Sequence, residues 1–426
     1  MIRSALLSLC LSCTLAANIE PLYEQVPDQS GLEIRSPQLS ERKTAKLRLA
    51  NGLKVYLISD PEVEQSAAAL AVETGSWFDP VEYPGMAHFL EHMLFMGTKA
   101  YPEEFEYMQY IHDYGGKVNA YTASDRTVYM FSINNDGFEG ALNRFAHFFI
   151  DPLFNPHCIE RELLAVDQEH AKNIENDGWR QYMILKETGN PHHPNAKFST
   201  GNADTLGGIP QSAMKTWYKE NYSANKMNLV VFSSLPMDEL IQATVKDFSD
   251  VPASVEPQEL TLTPLTSEKQ RGHMIYIKPV KGLKVLSLTW ELPPNLAFDK
   301  EGQVGTLLSY TLSSGAKNSL LAVLKREHLA ESIRVSEESL SKVNKLFSID
   351  IALSDKGIEQ INSVISYCFE ALARLKKTGI PHYIFNEVQQ IAETNYQYQS
   401  RQDAYQFVLD KAHALVDEEL ETFPRK

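Results

Sequence analysis

Polar and apolar residues alternate with a period of two through Lys46-Leu47-Arg48-Leu49-Ala50, and a second apolar run, Leu53-Lys54-Val55-Tyr56-Leu57-Ile58, follows across Asn51-Gly52. Two such runs joined by Asn-Gly predict a β-hairpin, with that dipeptide supplying the positive φ of a type I′ turn. Ala67 to Val72 predicts another strand, and Lys117–Thr122 with Thr127–Ile133 a further pair. Helical spacing takes over elsewhere. Pro84 opens a helix to about Phe95, closed by Gly97, and Pro102 opens a second that ends at Gly115-Gly116. Helices are expected at about 137–149, 156–175, 178–188, 210–220 and 237–248, with a long Pro/Gly/Asn-rich loop at 190–208 and a strand at 227–233.

The Pro-containing polar stretch 251–271 reads as a linker, after which the pattern restarts. Strands are expected near 273–279, 284–291 and 346–353, and helices near 301–313, 317–327, 356–377 and 382–400. The loose echo suggests an internal duplication. The expected class is therefore α+β, with two related domains, each a largely antiparallel sheet with helices packed on one side. The division runs 18–44 as an arm, 45–250 as the first domain, 251–271 as the linker and 272–426 as the second. The second reads as truncated, since it is shorter than the first and ends in an acidic helical stretch with no closing strand.

Composition narrows the function class. At roughly 150 residues per domain, 426 residues fit two or three domains. A chain 43% hydrophobic and 22% charged folds rather than stays disordered. A formal charge of −15 argues against binding a phosphate backbone, so no nucleic-acid partner is expected. Past residue 20 no run of 18 apolar residues occurs, so no membrane span is expected there. Residues 1–17 carry Arg3, an apolar run and small residues at Ala16-Ala17, the pattern of a signal peptide. Export, with the Gram-negative periplasm as destination, is the expectation; Leu11-Ser12-Cys13 leaves a lipid anchor as the lesser alternative. Beyond that segment only Cys158 and Cys368 remain, far apart, which gives neither a disulfide framework nor a metal knuckle.

The candidate chemistry lies in His88-Phe89-Leu90-Glu91-His92, inside the helix opened by Pro84. Residues four apart share a face, so both imidazoles can reach one ion. Two neutral histidines and a third ligand suit tetrahedral zinc with one open position for water. Glu91, on the adjoining edge, is placed as a base beside the metal rather than a ligand to it. A storage site would have no need of that base. The competing reading, a solvated polar face, is weakened by the apolar flanks Gly85-Met86-Ala87 and Met93-Leu94-Phe95-Met96. For the third ligand the helix at 156–175 offers Glu160, Glu162, Asp167, Glu169 and His170. Glu162 and Glu169 stand two turns apart, roughly 10 Å along the axis, so both on one ion is hard to arrange, and spacing does not choose between them. His192-His193 lies in a loop between prolines and reads as loop. No P-loop, dinucleotide turn or G-x-S-x-G occurs.

The motif is the inverted zinc signature H-x-x-E-H, and its surroundings resemble the pitrilysin and insulysin family of zinc peptidases. The resemblance rests on Gly85–Met93, Met96-Gly97-Thr98, Gly115-Gly116, Asn119-Ala120-Tyr121-Thr122, Asn176–Arg180 and Lys197–Asn202, in that order along the chain. It implies one Zn²⁺ per chain held by His88, His92 and Glu169, with Glu91 as base and Glu162 as supporting acid. It implies that Asn119, Ala120 and Tyr121 lie on an edge strand that pairs with a peptide substrate. It also implies an inactive second domain, and a complementary C-terminal half or second subunit as partner. The expected activity is metalloendopeptidase; the alternative is a half-protein that binds peptides without turning them over.

Overall fold

The computed structural model describes residues 21–253, 260–299, 302 and 304–425. The expected signal peptide and part of the expected linker lie outside the described residues.

Seven strands form the first sheet: β1 (Tyr23–Gln25), β2 (Lys43–Leu49), β3 (Lys54–Ser59), β4 (Gln65–Val72), β5 (Lys117–Thr122), β6 (Thr127–Asn134) and β7 (Met227–Ser233). Their order is β1-β2-β3-β7-β4-β6-β5. Every neighbouring pair is antiparallel except β3 with β7. The β2–β3 hairpin forms, but its turn differs from the expectation. Leu49 accepts from the Gly52 N–H, and positive φ occurs at Gly52 and not at Asn51. That is a three-residue loop whose last member is left-handed, the alternative that a single positive-φ glycine permits. Asn51 is held instead by its side chain, which donates to the carbonyls of Phe248 and Val251.

Strand β4 shows why the sheet is covered twice. Ala68, Leu70 and Val72 face one core and Ala67, Ala69 and Ala71 the other; successive side chains of a strand point to opposite faces. The first core is built from the helices Met86–Leu94, Phe138–Ile150 and Met237–Phe248. The second is covered by the chain's last helix, Ala404–Leu415, through Phe407, Val408, Ala412 and Leu415, with Leu420 and Phe423 beyond it. This changes the expected division of the chain, in which everything after 272 belonged to the second domain. An apolar helical stripe must be buried, and the alanines of β4 leave a flat surface for this one. Arg126, 2% exposed, adds a charged tie, donating to Asp125 and to both carboxylate oxygens of Asp417.

The second unit is a three-stranded antiparallel sheet of β8 (Val285–Glu291), β9 (Ala330–Ser339) and β10 (Lys345–Leu353), in the order β8-β10-β9. The helices Ile361–Thr378 and Leu320–Arg326 bury its apolar face. The strand expected near 273–279 does not form. That segment runs irregularly, with Met274, Ile275 and Tyr276 exposed, and the chain beyond it is tied by the Val280 and Lys281 N–H groups to the Asp177 carboxylate. The arm gains an edge strand, β1, paired with Leu47–Leu49 of β2.

Phe407 is 6% exposed and its ring lies against Phe232 of β7, 5.3 Å between centroids. Phe407→Ala should therefore lower stability by about 3–5 kcal/mol, the usual loss for a buried Phe truncated to Ala. Equilibrium chemical denaturation measures it; a loss below about 1 kcal/mol would mean that this helix does not cover the sheet as described.

Candidate metal centre

The motif helix Met86–Leu94 begins under unusual constraint. Gly85, its N-cap, has φ 97°, and a Cβ there would stand 2.3 Å from the Gly201 Cα. Only glycine permits both the left-handed backbone and that approach. Asp79 satisfies the helix start: its two carboxylate oxygens accept from the N–H of Gly85 at 2.7 Å and of Ala87 at 2.8 Å. Burial pushes the Asp79 carboxyl up to about 7, against the pull of those N–H groups and of Lys197 and Lys186. Lys197 also donates to the Asp79 backbone carbonyl at 3.1 Å, so the loop at 197–202 is drawn onto the helix entry.

That contact orients the first histidine. Nδ1 of His88 is 2.7 Å from the Thr200 carbonyl oxygen. A carbonyl only accepts, so Nδ1 carries the proton, and in the neutral ring Nε2 has the lone pair. His92 stands one turn on, its ring 4.9 Å from that of His88. Its two nitrogens meet two acids of the helix Pro156–Ile174: Nδ1 lies 3.7 Å from Glu162 and Nε2 3.8 Å from Glu169. The nitrogens of an imidazole point apart, so carboxylates two turns apart fit on either side of one ring. Glu169 is 3.6 Å from His88 Nε2 as well. His88, His92 and Glu169 thus present ligand atoms all within 4.8 Å of one another, and Glu162 stands on the far side of His92. Arg161 donates to the other oxygen of Glu162 at 3.2 Å.

These donors fit zinc. Two imidazole nitrogens and a carboxylate oxygen are the donor set of catalytic zinc sites, and ligands at tetrahedral bond lengths lie roughly 3.3 Å apart. The charges point the same way. Burial pulls His92 down, but Glu162, Glu91 and Glu169 outweigh it and hold the ring above its usual range, so the pocket favours positive charge. Glu162 is held below the usual carboxylate range by His92, against its burial.

Glu91 shares the motif helix and is 7% exposed. Burial pushes its carboxyl above the usual range, while His88, the Thr122 hydroxyl and His92 pull the other way. Asn119, Ala120 and Tyr121 lie in β5, at the end of the first sheet, where β6 is the sole strand partner among the described residues. Asn119 is exposed, Ala120 is buried, and the Tyr121 hydroxyl is bonded to Nδ1 of His413 at 2.7 Å. The edge and the metal ligands line one cleft of about 1990 Å³, whose far wall comes from β8 and the segment around Tyr276. Small-molecule pockets are typically about 300–1,000 Å³, so this cleft has room for a length of chain.

Asp79, Thr122 and Thr200 were not singled out by spacing. Asp79 is six residues before its glycine, outside the three-residue spacing of a capping box. The available signal was an acid just ahead of a helix entered through glycine. Asp79→Asn keeps one acceptor but turns an amide N–H toward a backbone N–H. It should weaken zinc binding about tenfold, as loss of a group supporting a ligand typically does. Competition with a chelator checks this; an unchanged affinity would remove Asp79 from the support of the site.

Comparison with known proteins follows the same lines. The model of the insulinases (peptidase family M16) matches residues 54–192, and that of the M16 inactive domain matches 209–392. The A-factor-processing enzyme of Saccharomyces cerevisiae is 37% identical over 374 residues, 86% of this chain and 36% of that one. The insulin-degrading enzyme of Homo sapiens is 34% identical over 376 residues, 86% of this chain and 37% of that one. Among solved structures, pitrilysin superposes with a TM-score of 0.87 at 31% identity, over 94% of this chain and 43% of that one. A protease from Helicobacter pylori superposes with a TM-score of 0.70 at 20% identity, over 90% of this chain and 94% of that one, a likeness of fold. The chain spans between 36 and 41% of the length of such curated relatives.

Proposed function

The chain belongs to the insulinase family of peptidases, M16, and from that premise we propose that it is a zinc metalloendopeptidase acting on oligopeptides or small unfolded polypeptides. The observation that carries the reading is one cleft holding three convergent ligand atoms, a buried carboxylate on the same helix, and a free sheet edge. His88 Nε2, His92 Nε2 and Glu169 would hold one zinc. When bound, the ion polarises the scissile carbonyl and makes water a nucleophile near neutral pH.

The chain's own residues do the rest. An extended peptide added to the outer edge of β5 gains backbone hydrogen bonds with little demand on sequence. Asn119, Ala120 and Tyr121 present that edge. Glu91 takes the proton of the attacking water as its oxygen bonds to the carbonyl carbon. It returns that proton to the nitrogen as the C–N bond breaks. Glu162, 3.7 Å from Nδ1 of His92, would orient that ring and leave Nε2 for the metal.

The companion reading is a peptide-binding module that needs a complementary C-terminal half or second subunit for turnover. It draws on the same cleft, whose far wall is formed by the second unit. Export to a Gram-negative periplasm stays a proposal resting on residues 1–17. Among the described residues no helix is long and apolar enough to cross a membrane.

Two variants test the mechanism. Metal analysis should find near one zinc per chain, falling toward none in His88→Ala. Glu91→Gln should keep the zinc and lose about 10²–10⁴-fold in rate on an unstructured peptide, the worth of a positioned base. The assay is run on the chain alone and with a separately expressed second half. Zinc retained by His88→Ala would overturn the ligand assignment. Parent-rate cleavage by Glu91→Gln would overturn the base. Cleavage only with the second half supplied would favour the companion reading, and peptide binding without cleavage in both arms would favour a module that only binds.

A further inference from the structure

β5 ends in Thr122, opposite Thr127 of β6. Its side chain does not join the edge that a peptide would pair with. Val118, Ala120 and Thr122 alternate toward the core that contains the motif helix, while Tyr121 packs against the core on the other face. There the Thr122 hydroxyl donates to Oε2 of Glu91 at 2.6 Å. The direction of that bond follows from the two groups, because a carboxylate oxygen accepts and a hydroxyl can donate. Thr127, fully buried, gives its own proton to the Thr74 carbonyl at 2.9 Å and stands 3.5 Å from the Thr122 hydroxyl, a longer contact than the 2.6 Å to the carboxylate. No described residue is bonded to the other oxygen, Oε1, and Glu91 lines the cleft.

We infer that Thr122 is a positioning residue for the peptidase reaction: its hydroxyl occupies Oε2 of Glu91 and so leaves Oε1 as the oxygen that takes the proton of water. The inference rests on the peptidase reading of the site. The balance of the step is unchanged. Water gives one proton to Oε1 while its oxygen bonds to the carbonyl carbon, and the same proton leaves Oε1 for the amine nitrogen as the C–N bond breaks. The geometry adds a register. Thr122 follows Asn119, Ala120 and Tyr121 without a break in one strand, so the residues that would hold the peptide and the residue that holds the base move as one element. A carboxylate with several rotamers open to it would lose that alignment. Misplacement of a reacting group by about 1 Å can lower a rate about 10²-fold.

The test compares Thr122→Val, which removes the hydroxyl and keeps the branched shape, with Thr122→Ser, which keeps the hydroxyl. Both are assayed with one equivalent of zinc on an unstructured peptide. Thr122→Val should bind zinc as the parent does, keep KM within about twofold and lose about 10- to 100-fold in kcat; Thr122→Ser should stay within about threefold of the parent. Thermal melts of the zinc-loaded proteins identify a variant that fails to fold, and the serine variant then decides. Parent-like kcat in Thr122→Val overturns the inference, as does a serine variant as impaired as the valine one. A second arm does not need turnover. Infrared spectra of the zinc-loaded chain, with Glu91→Gln to identify the Glu91 band, should show its carboxylate stretch shifted in Thr122→Val, where the hydrogen bond is lost, and unshifted in Thr122→Ser. If the parent cleaves nothing, the peptidase reading fails, and the infrared arm still decides: an unshifted band in Thr122→Val overturns the role of Thr122.

Discussion

The hydrogen bond from His88 Nδ1 to the Thr200 carbonyl is the contact on which the site turns. It fixes a tautomer, and the tautomer decides which nitrogen can face an ion. The bond exists only because a loop 112 residues away in sequence reaches the first turn of the motif helix. That reach depends on two glycines in contact. Gly85 and Gly201 both have positive φ, and any side chain at Gly85 would collide with the Gly201 backbone. Asp79 closes the arrangement by capping the helix with its carboxylate while its own carbonyl receives Lys197 from the same loop. The loop, the cap and the ligand are one mechanical unit, which is how metal sites gain ligand geometry from residues that never touch the ion.

Charge follows from that packing. Glu91, Glu162 and Glu169 converge on two imidazoles, while Arg161 divides its nitrogens between Glu162 and Glu104. Carboxylates gathered in a partly buried pocket repel one another, and burial penalises each further. His92 answers by being held above its usual range. A divalent ion would answer the same field more completely, since it takes Glu169 as a ligand and leaves Glu162 to the far nitrogen of His92. The donor set and the field are thus both compatible with a cation at this place.

Much of this was legible in the sequence, for definite reasons. His88 and His92 are one turn apart, a spacing that survives any tertiary context so long as the helix forms, and β3, β4 and β7 show as short, nearly continuous apolar runs, as strands buried on both faces do. The third ligand was different. Glu162 and Glu169 differ by two turns on one helix, and only the observed placement of His92 between them separates the acid that stands near both histidines from the one on the far side of His92. Strand β9 went unread because Glu331, Arg334, Glu337 and Glu338 hide its period of two, and it is buried at few positions. The segment at 273–279 has the composition of a strand, yet no described strand pairs with it. The last helix was the largest departure. The apolar stripe of Phe407, Val408 and Leu415 finds its surface on β4, β6 and β7, far back in the chain, which no local pattern can report.

That departure alters how the substrate edge is understood. An edge strand standing alone would be held by β6 on one side and would be free to fray, which spoils any pairing it offers. β5 is instead gripped on both faces. Toward the motif helix, Thr122 meets Glu91. Toward the last helix, Tyr121 meets His413, and Lys117 lies over the Tyr405 ring at 4.4 Å. At the turn into β6, Arg126 is locked by Asp125 and Asp417. The period-two alternation of a strand makes this division automatic, since neighbouring side chains must face opposite ways. β5 is thus held by side chains on both faces, at Thr122 and at Tyr121 and Lys117. Among the described residues no strand pairs with its outer row of N–H and C=O groups, the part of β5 that the proposed peptide would use.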